Sequence, residues 1–183
     1  MSEKLKLSDV RIKLPFTINR GLSVFRIKDV FDDNNYNLDF DVFLPSIGKN
    51  LQRELCWTLH QKQELIMSIL KGIQIPKMAF VHVDHKVIQV IDGKQRLSAW
   101  IDFVNGNFSI SFQGNDYFFS DLDKDSQMEL TYSYVTADVA YEYTEKNYEQ
   151  LIPDEWKIEW FRLINFAGTP QDKDHLNNLL EQK

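Results

Sequence analysis

Asp92, Gly93, Lys94, Gln95 and Arg96 stand where an apolar run, Val87 to Ile91, gives way to an amphipathic pattern. Residues of these types at such a corner could seat a phosphate. Leu97, Trp100, Ile101 and Val104 recur at i, i+3, i+4 and i+7, which predicts a helix with Lys94, Gln95, Arg96 and Ser98 outside its apolar stripe. Gly93 then falls at a strand-to-helix corner. The first amides of a helix lack intrahelical acceptors, and the helix dipole places positive charge there. Lys94 and Arg96 add two cations beside that point. Asp-Gly is also a common tight-turn pair and every helix needs a cap, so the corner alone fits a structural role as well.

The elements around this corner belong to a chain of 183 residues, the length of one domain, with 43% hydrophobic and 13% aromatic residues to build a core. Lys and Arg total 21 against 27 Asp and Glu, giving a net charge of -6, which opposes indiscriminate binding to DNA or acidic membranes. Any nucleic-acid contact would need a local basic patch. A single cysteine, Cys56, excludes an internal disulfide and is expected as a buried apolar filler in a reducing compartment. Neither a signal-like apolar segment nor a run of about 18 apolar residues occurs, so a cytoplasmic protein without a membrane anchor is expected. His60, His82, His85 and His175 lack metal-site spacing, and His82 with His85 is expected to flank a hairpin turn.

Residues 1–20, polar and basic with Pro15, read as an N-terminal arm, followed by one domain over 21–183. Gly21 to Ile27 reads as a strand and 32–37 as a loop, while Leu38 to Leu44 alternates apolar and acidic residues like a half-buried strand stopped by Pro45. Thr58 to Leu70 is a helix with Leu59, Leu65, Ile66, Ile69 and Leu70 near one face, closed by Gly72 and followed by Pro76. Met78 to Val83 and Val87 to Ile91 form an expected antiparallel pair, and 108–112 with 117–119 a second hairpin about residues 113–116. Residues 123–130 suit a short helix, with Asp121, Asp123 and Asp125 a solvated turn, and 132–143 a strand. Pro153 opens an amphipathic helix with Trp156, Trp160, Leu163 and Ile164 inward; Ala167-Gly168 ends it and Thr169-Pro170 starts a last one. Trp100, Trp156 and Trp160 lie on apolar stripes and are read as core. Hairpins with interspersed helices make the fold class α+β, with a small mixed or antiparallel sheet packed by several helices.

Three segments together carry a family likeness: LQRELCW at Leu51 to Trp57, VIDGKQRL at Val90 to Leu97 and WFRLINFAGTP at Trp160 to Pro170. In order and spacing they resemble the N-terminal domain of GmrSD-type modification-dependent restriction enzymes, a branch of the ParB and sulfiredoxin-like superfamily. That family is marked by a Gln-Arg pair before a tryptophan, an Asp-Gly-Gln-Gln-Arg motif and a late Asn-Thr-Gly-Gly-Thr-Pro turn. The likeness spans roughly residues 22–180, and Leu65 to Pro76 also resembles the family's helix-to-proline connection. It implies a single ParB-like α+β domain whose Asp-Gly motif handles nucleoside triphosphate, in systems that detect modified or foreign DNA. Three departures stand out: Lys94 replaces the motif's first glutamine, Phe166 and Ala167 replace the late threonine and first glycine, and no His-Asn-His pattern follows before Lys183. DNA cleavage by this chain alone is therefore not expected.

On that likeness Gly93 lets the backbone approach a phosphate, Lys94, Gln95 and Arg96 contact it, and Asp92 holds a magnesium ion or orients water. Asp92 serves equally as a helix cap. Gln52 and Arg53 would bring a second phosphate clamp, since Arg binds phosphate bidentately; a surface salt bridge of Arg53 to Glu54 or Asp41 is the structural alternative. Asn165 and Thr169 line the far wall or merely stop one helix and cap the next. The function expected from this likeness is a nucleotide-binding domain, able or not to hydrolyse, acting as sensor or regulator in restriction, phage defence or counter-defence. A nuclease subunit or full-length relative in trans would supply cleavage. The alternatives are a non-catalytic protein that docks onto such a relative or its DNA, and a ParB-like domain that binds or nicks DNA through a local patch.

Overall fold

A computed structural model describes residues 16–31, 36–142 and 151–166. The strands are β1 (Asn19–Arg26), β2 (Asn37–Asp39), β3 (Phe43–Leu44), β4 (Lys49–Asn50), β5 (Met78–His82), β6 (Val87–Asp92), β7 (Ile110–Phe112), β8 (Asn115–Tyr117) and β9 (Tyr134–Tyr141). The helices are α1 (Leu59–Leu70), α2 (Lys94–Val104), α3 (Lys124–Tyr132) and α4 (Asp154–Phe166). Five strands form one mixed sheet in the order β1-β9-β5-β6-β2, with β5 parallel to β9 and β2 parallel to β6. The expected hairpin is the antiparallel pair β5–β6, with His82 and His85 at its turn. This is the expected α+β class.

Central β5 is buried at every residue and sends alternate side chains to opposite faces. Met78 and Phe80 join a core with Leu65, Ile66, Leu97, Trp100, Phe103 and Leu130 from α1, α2 and α3. Ala79 and Val81 join a second core with Leu44, Leu51, Ile91 and the α4 residues Ile158, Trp160 and Phe161. Trp100 is a core residue, and its indole Nε1 donates to the Leu130 carbonyl at 2.9 Å. No described helix is long and apolar enough to cross a membrane.

Local chemistry explains the boundaries. Thr58 and Gln61 form a reciprocal capping box at α1, and Gly72 at φ +71 lets the chain turn after it. Asp123 caps α3 by accepting the Ser126 amide, and Asp121 accepts that of Phe118, so the acidic turn serves as caps. The 108–119 hairpin turns on Gln113 and Gly114 alone, both at positive φ, rather than on four residues. This two-residue turn matches strand twist, so pairing extends to Asn115.

Several expectations need correction. The alternating run 38–44 is two strands, because the Asp39 carboxylate accepts the amides of Asp41 and Val42 and turns the chain there. Val42 is buried at φ +44, an unfavourable region for a β-branched residue. Leu59 is exposed at the start of α1. On α2, Ala99 and Phe103 are buried whereas Ile101 and Val104 are only half-buried, and Lys94 lies inside rather than outside the stripe. Ile158 and Phe161 are buried with Trp160 on the inward face of α4, Trp156 and Ile164 pack half-buried against the same core as expected, and Leu163 is exposed instead of inward. The strand expected over 132–143 is shorter, since α3 runs on through Tyr132. Cys56 is exposed, because residues 53–56 lie on the surface between the buried Leu51 and the half-buried Trp57. β1 already starts at Asn19, inside the expected arm, and Phe16 is buried. The expected helix from Thr169 lies outside the described residues.

His82 lies between the rings of Tyr36 and Tyr141, with its Nε2 buried and unpartnered among the described residues. Burial pushes its pKa down to about 4, only partly opposed by the charge of Asp84. A folded-state pKa below the unfolded one gives stability that is complete above the unfolded value and is lost as pH falls. The window runs from about 6.5 to about 4 and the loss amounts to about 3 kcal/mol. Urea unfolding at pH 7 and pH 4.5 should show most of this loss in wild type and a clearly smaller one in His82→Phe. Equal losses in the two proteins would refute the assignment.

Candidate functional site

The corner between β6 and α2 is built around one glycine. Gly93 has φ +110 and ψ 3, a conformation side-chain-bearing residues rarely adopt. A Cβ placed on it would lie 2.6 Å from Sδ and 2.7 Å from Cγ of Met78, so β5 packs directly beneath it. Gly93 is the N-cap of α2 and has no side chain to cap the helix; its carbonyl accepts the Leu97 amide at 2.8 Å. The positive end of the helix dipole therefore stands beside Asp92, Lys94 and Arg96 without a capping side chain.

Each charged residue of the motif has a partner. The Arg96 guanidinium donates through Nη2 to Asp92 Oδ2 at 2.6 Å and through Nη1 to the Pro76 carbonyl at 2.5 Å. Asp92 thus pairs with the next turn instead of capping the helix. Lys94, with a side chain 4% exposed, donates through Nζ to Asp41 Oδ1 at 2.9 Å, while the Asp41 side chain is 64% exposed. Two cations and two carboxylates balance at this corner. Arg96 uses two of five guanidinium donors and Asp92 one of its oxygens in bonds among the described residues. Both retain capacity for a further group.

The glutamines are fixing residues. Gln95 Oε1 accepts the amides of Cys56 and Trp57 at 3.0 and 3.1 Å, and its Nε2 donates to the Glu54 carbonyl at 3.0 Å. One side chain thereby ties the segment before α1 to the first turn of α2. Gln52 Nε2 donates to the carbonyl of Val90 in β6. The Gln-Arg pair and the Asp-Gly motif, distant in sequence, are consequently neighbours. Arg53 is exposed and makes no ion pair with Glu54 or Asp41. Asn165 stands on the last turn of α4, the helix of the other core, and its Nδ2 donates to the Phe161 carbonyl. Thr169 lies outside the described residues.

A role for Asp41 was not visible in its pattern, because the alternation over 38–44 assigns it to solvent and to a strand. The signal for Lys94 was present: it sits three residues before Leu97 and seven before Ile101, on the apolar face itself. Among the described residues no group of three or more His, Cys, Asp or Glu side chains could hold a metal ion. Magnesium commonly takes one or two protein carboxylates with substrate phosphates, and Asp92, which uses one of its oxygens in bonds among the described residues, would fit that donor set.

A family model described as GmrSD restriction endonuclease, N-terminal domain, matches residues 27–182. No curated protein and no solved structure matches the chain.

Proposed function

The chain belongs to the family of GmrSD restriction endonuclease N-terminal domains, and from that premise we propose that it binds nucleoside triphosphate at the β6–α2 corner. Binding there makes it the sensor or regulatory part of a restriction or phage-defence system, or of its counter-defence. A nuclease subunit or a full-length relative in trans supplies cleavage. The observation that carries this reading is the meeting of a helix N-terminus lacking a capping side chain, Lys94 and Arg96 in a single turn at a glycine that no other residue can replace without strain. Phosphate oxygens would accept from the amides and from the unused donors of Arg96, with Arg53 reaching in from the tied 51–57 segment. Asp92 would hold magnesium, which when bound neutralises phosphate charge. Gln52 and Gln95 are positioning residues that keep the two motifs in register.

A thermal-shift series with ATP, GTP, CTP and UTP, each with magnesium, tests the proposal. A nucleotide at a hundredfold excess over its Kd should raise the wild-type Tm by about 5 °C or more. Arg96→Ala, measured against its own unliganded Tm, should lose most of that rise. An equal rise in both proteins would remove Arg96 from the site, and no rise with any nucleotide would overturn the reading.

A further inference from the structure

We infer that Asp41 is a built-in competitor for the phosphate seat: its carboxylate occupies the ammonium of Lys94 until a polyphosphate displaces it. This rests on the reading of the corner as a phosphate site. The pair is unequal, with the Lys94 side chain 4% exposed and that of Asp41 64% exposed. A buried ammonium without an anion is costly, whereas a carboxylate already in water loses little when its partner leaves. Exchange of one anion for another at Lys94 is therefore the accessible change, and simple opening is not.

The loop that carries Asp41 is built to present it. Asp39 Oδ1 accepts the amides of Asp41 and Val42 at 3.1 and 2.9 Å, and Val42 is anchored in the second core while its carbonyl accepts the Leu51 amide. The Asp41 side chain, 64% exposed between these fixed points, can swing from Lys94 into solvent. A tethered group acts at an effective concentration on the order of millimolar, so a ligand with one weak anionic contact does not displace it. A triphosphate can, because it brings further oxygens to Arg96 and the helix amides at the same time. Asp41 thus sets a threshold that favours triphosphate over monophosphate.

The test is titration of wild type, Asp41→Asn, Asp41→Ser, Lys94→Gln and Lys94→Gln/Asp41→Asn with magnesium nucleoside triphosphate, the monophosphate and inorganic triphosphate. Asp41→Asn should bind triphosphate about tenfold more tightly and discriminate less against monophosphate. In the Lys94→Gln background the same change should give no gain over Lys94→Gln alone. Asp41→Ser, shorter and also neutral, gives the answer should the amide disturb the loop. Wild type that binds triphosphate while both neutral variants bind equally or more weakly overturns the inference and leaves the phosphate reading intact. If neither wild type nor the neutral variants bind any of the three ligands, the phosphate reading falls and takes this inference with it.

Discussion

Gly93→Ala should destabilise the domain by about 2–5 kcal/mol, the sum of a left-handed backbone penalty and an overpacked contact with Met78. The two contributions can be separated. Met78→Ala placed with Gly93→Ala removes Sδ and Cγ from the clash but leaves φ at +110, so the double variant should lose less than the sum of the two single losses. Urea unfolding of the four proteins measures this. A loss below about 1 kcal/mol in Gly93→Ala would mean that the corner relaxes freely, and the requirement for glycine would then come from the ligand alone.

That corner was the most legible part of the sequence. An apolar run, Asp-Gly and a helical stripe were enough to place it, because each is a local signal and all three agree. The error at Leu38 to Leu44 has the opposite origin. Alternation is a statement about faces, and a single Asp39 carboxylate that collects two amides breaks the strand without disturbing the alternation. Lys94 illustrates a third case: its charge argued for the surface, while its phase relative to Leu97 argued for the interior, and the partner that decides between them comes from residue 41. Likewise nothing local in Trp156 or Leu163 reveals that Lys157 turns inward.

Lys157 and Glu142 carry the second large effect. Their Nζ and Oε1 lie 2.8 Å apart with side chains 8% and 4% exposed, and Lys157 also donates to Gln89 Oε1 at 2.8 Å. Glu142 accepts the Ile152 amide as well and donates its own to the His82 carbonyl at the end of β5. This pair joins α4 to the sheet. Glu142→Gln keeps the shape but leaves a buried ammonium without its counter-charge, and should cost about 3–5 kcal/mol. Lys157→Met should cost a similar amount. The double variant should cost much less than the sum, because no uncompensated charge remains. Additive losses in equilibrium unfolding would show that the two side chains act independently, which the 2.8 Å contact contradicts.

The candidate site was legible in its residue types and not in its present bonding. Gln95 and Gln52 looked like ligand contacts by their place in the motifs, yet both spend their amides on holding separate chain segments together. Side-chain amides can bond to backbone as readily as to a ligand, and a sequence does not state which backbone will be near. Asn165 stands on the last turn of α4, where its amide donates to the Phe161 carbonyl within the helix.

The strand order also bears on how the chain is made. β5 and β6 follow each other directly and can close as a hairpin soon after both leave the ribosome. The other edge of β5 pairs with β9, and β1, although made early, pairs among the described residues with β9 alone. Until residues 134–141 have been synthesised, the fully buried strand β5 therefore has an open edge and β1 lacks its neighbour in the sheet. Between the synthesis of β6 and that of β9 the nascent sheet is the three-stranded fragment β2-β6-β5 with one edge of β5 open, and it is completed in one late step when β9 enters between β5 and β1.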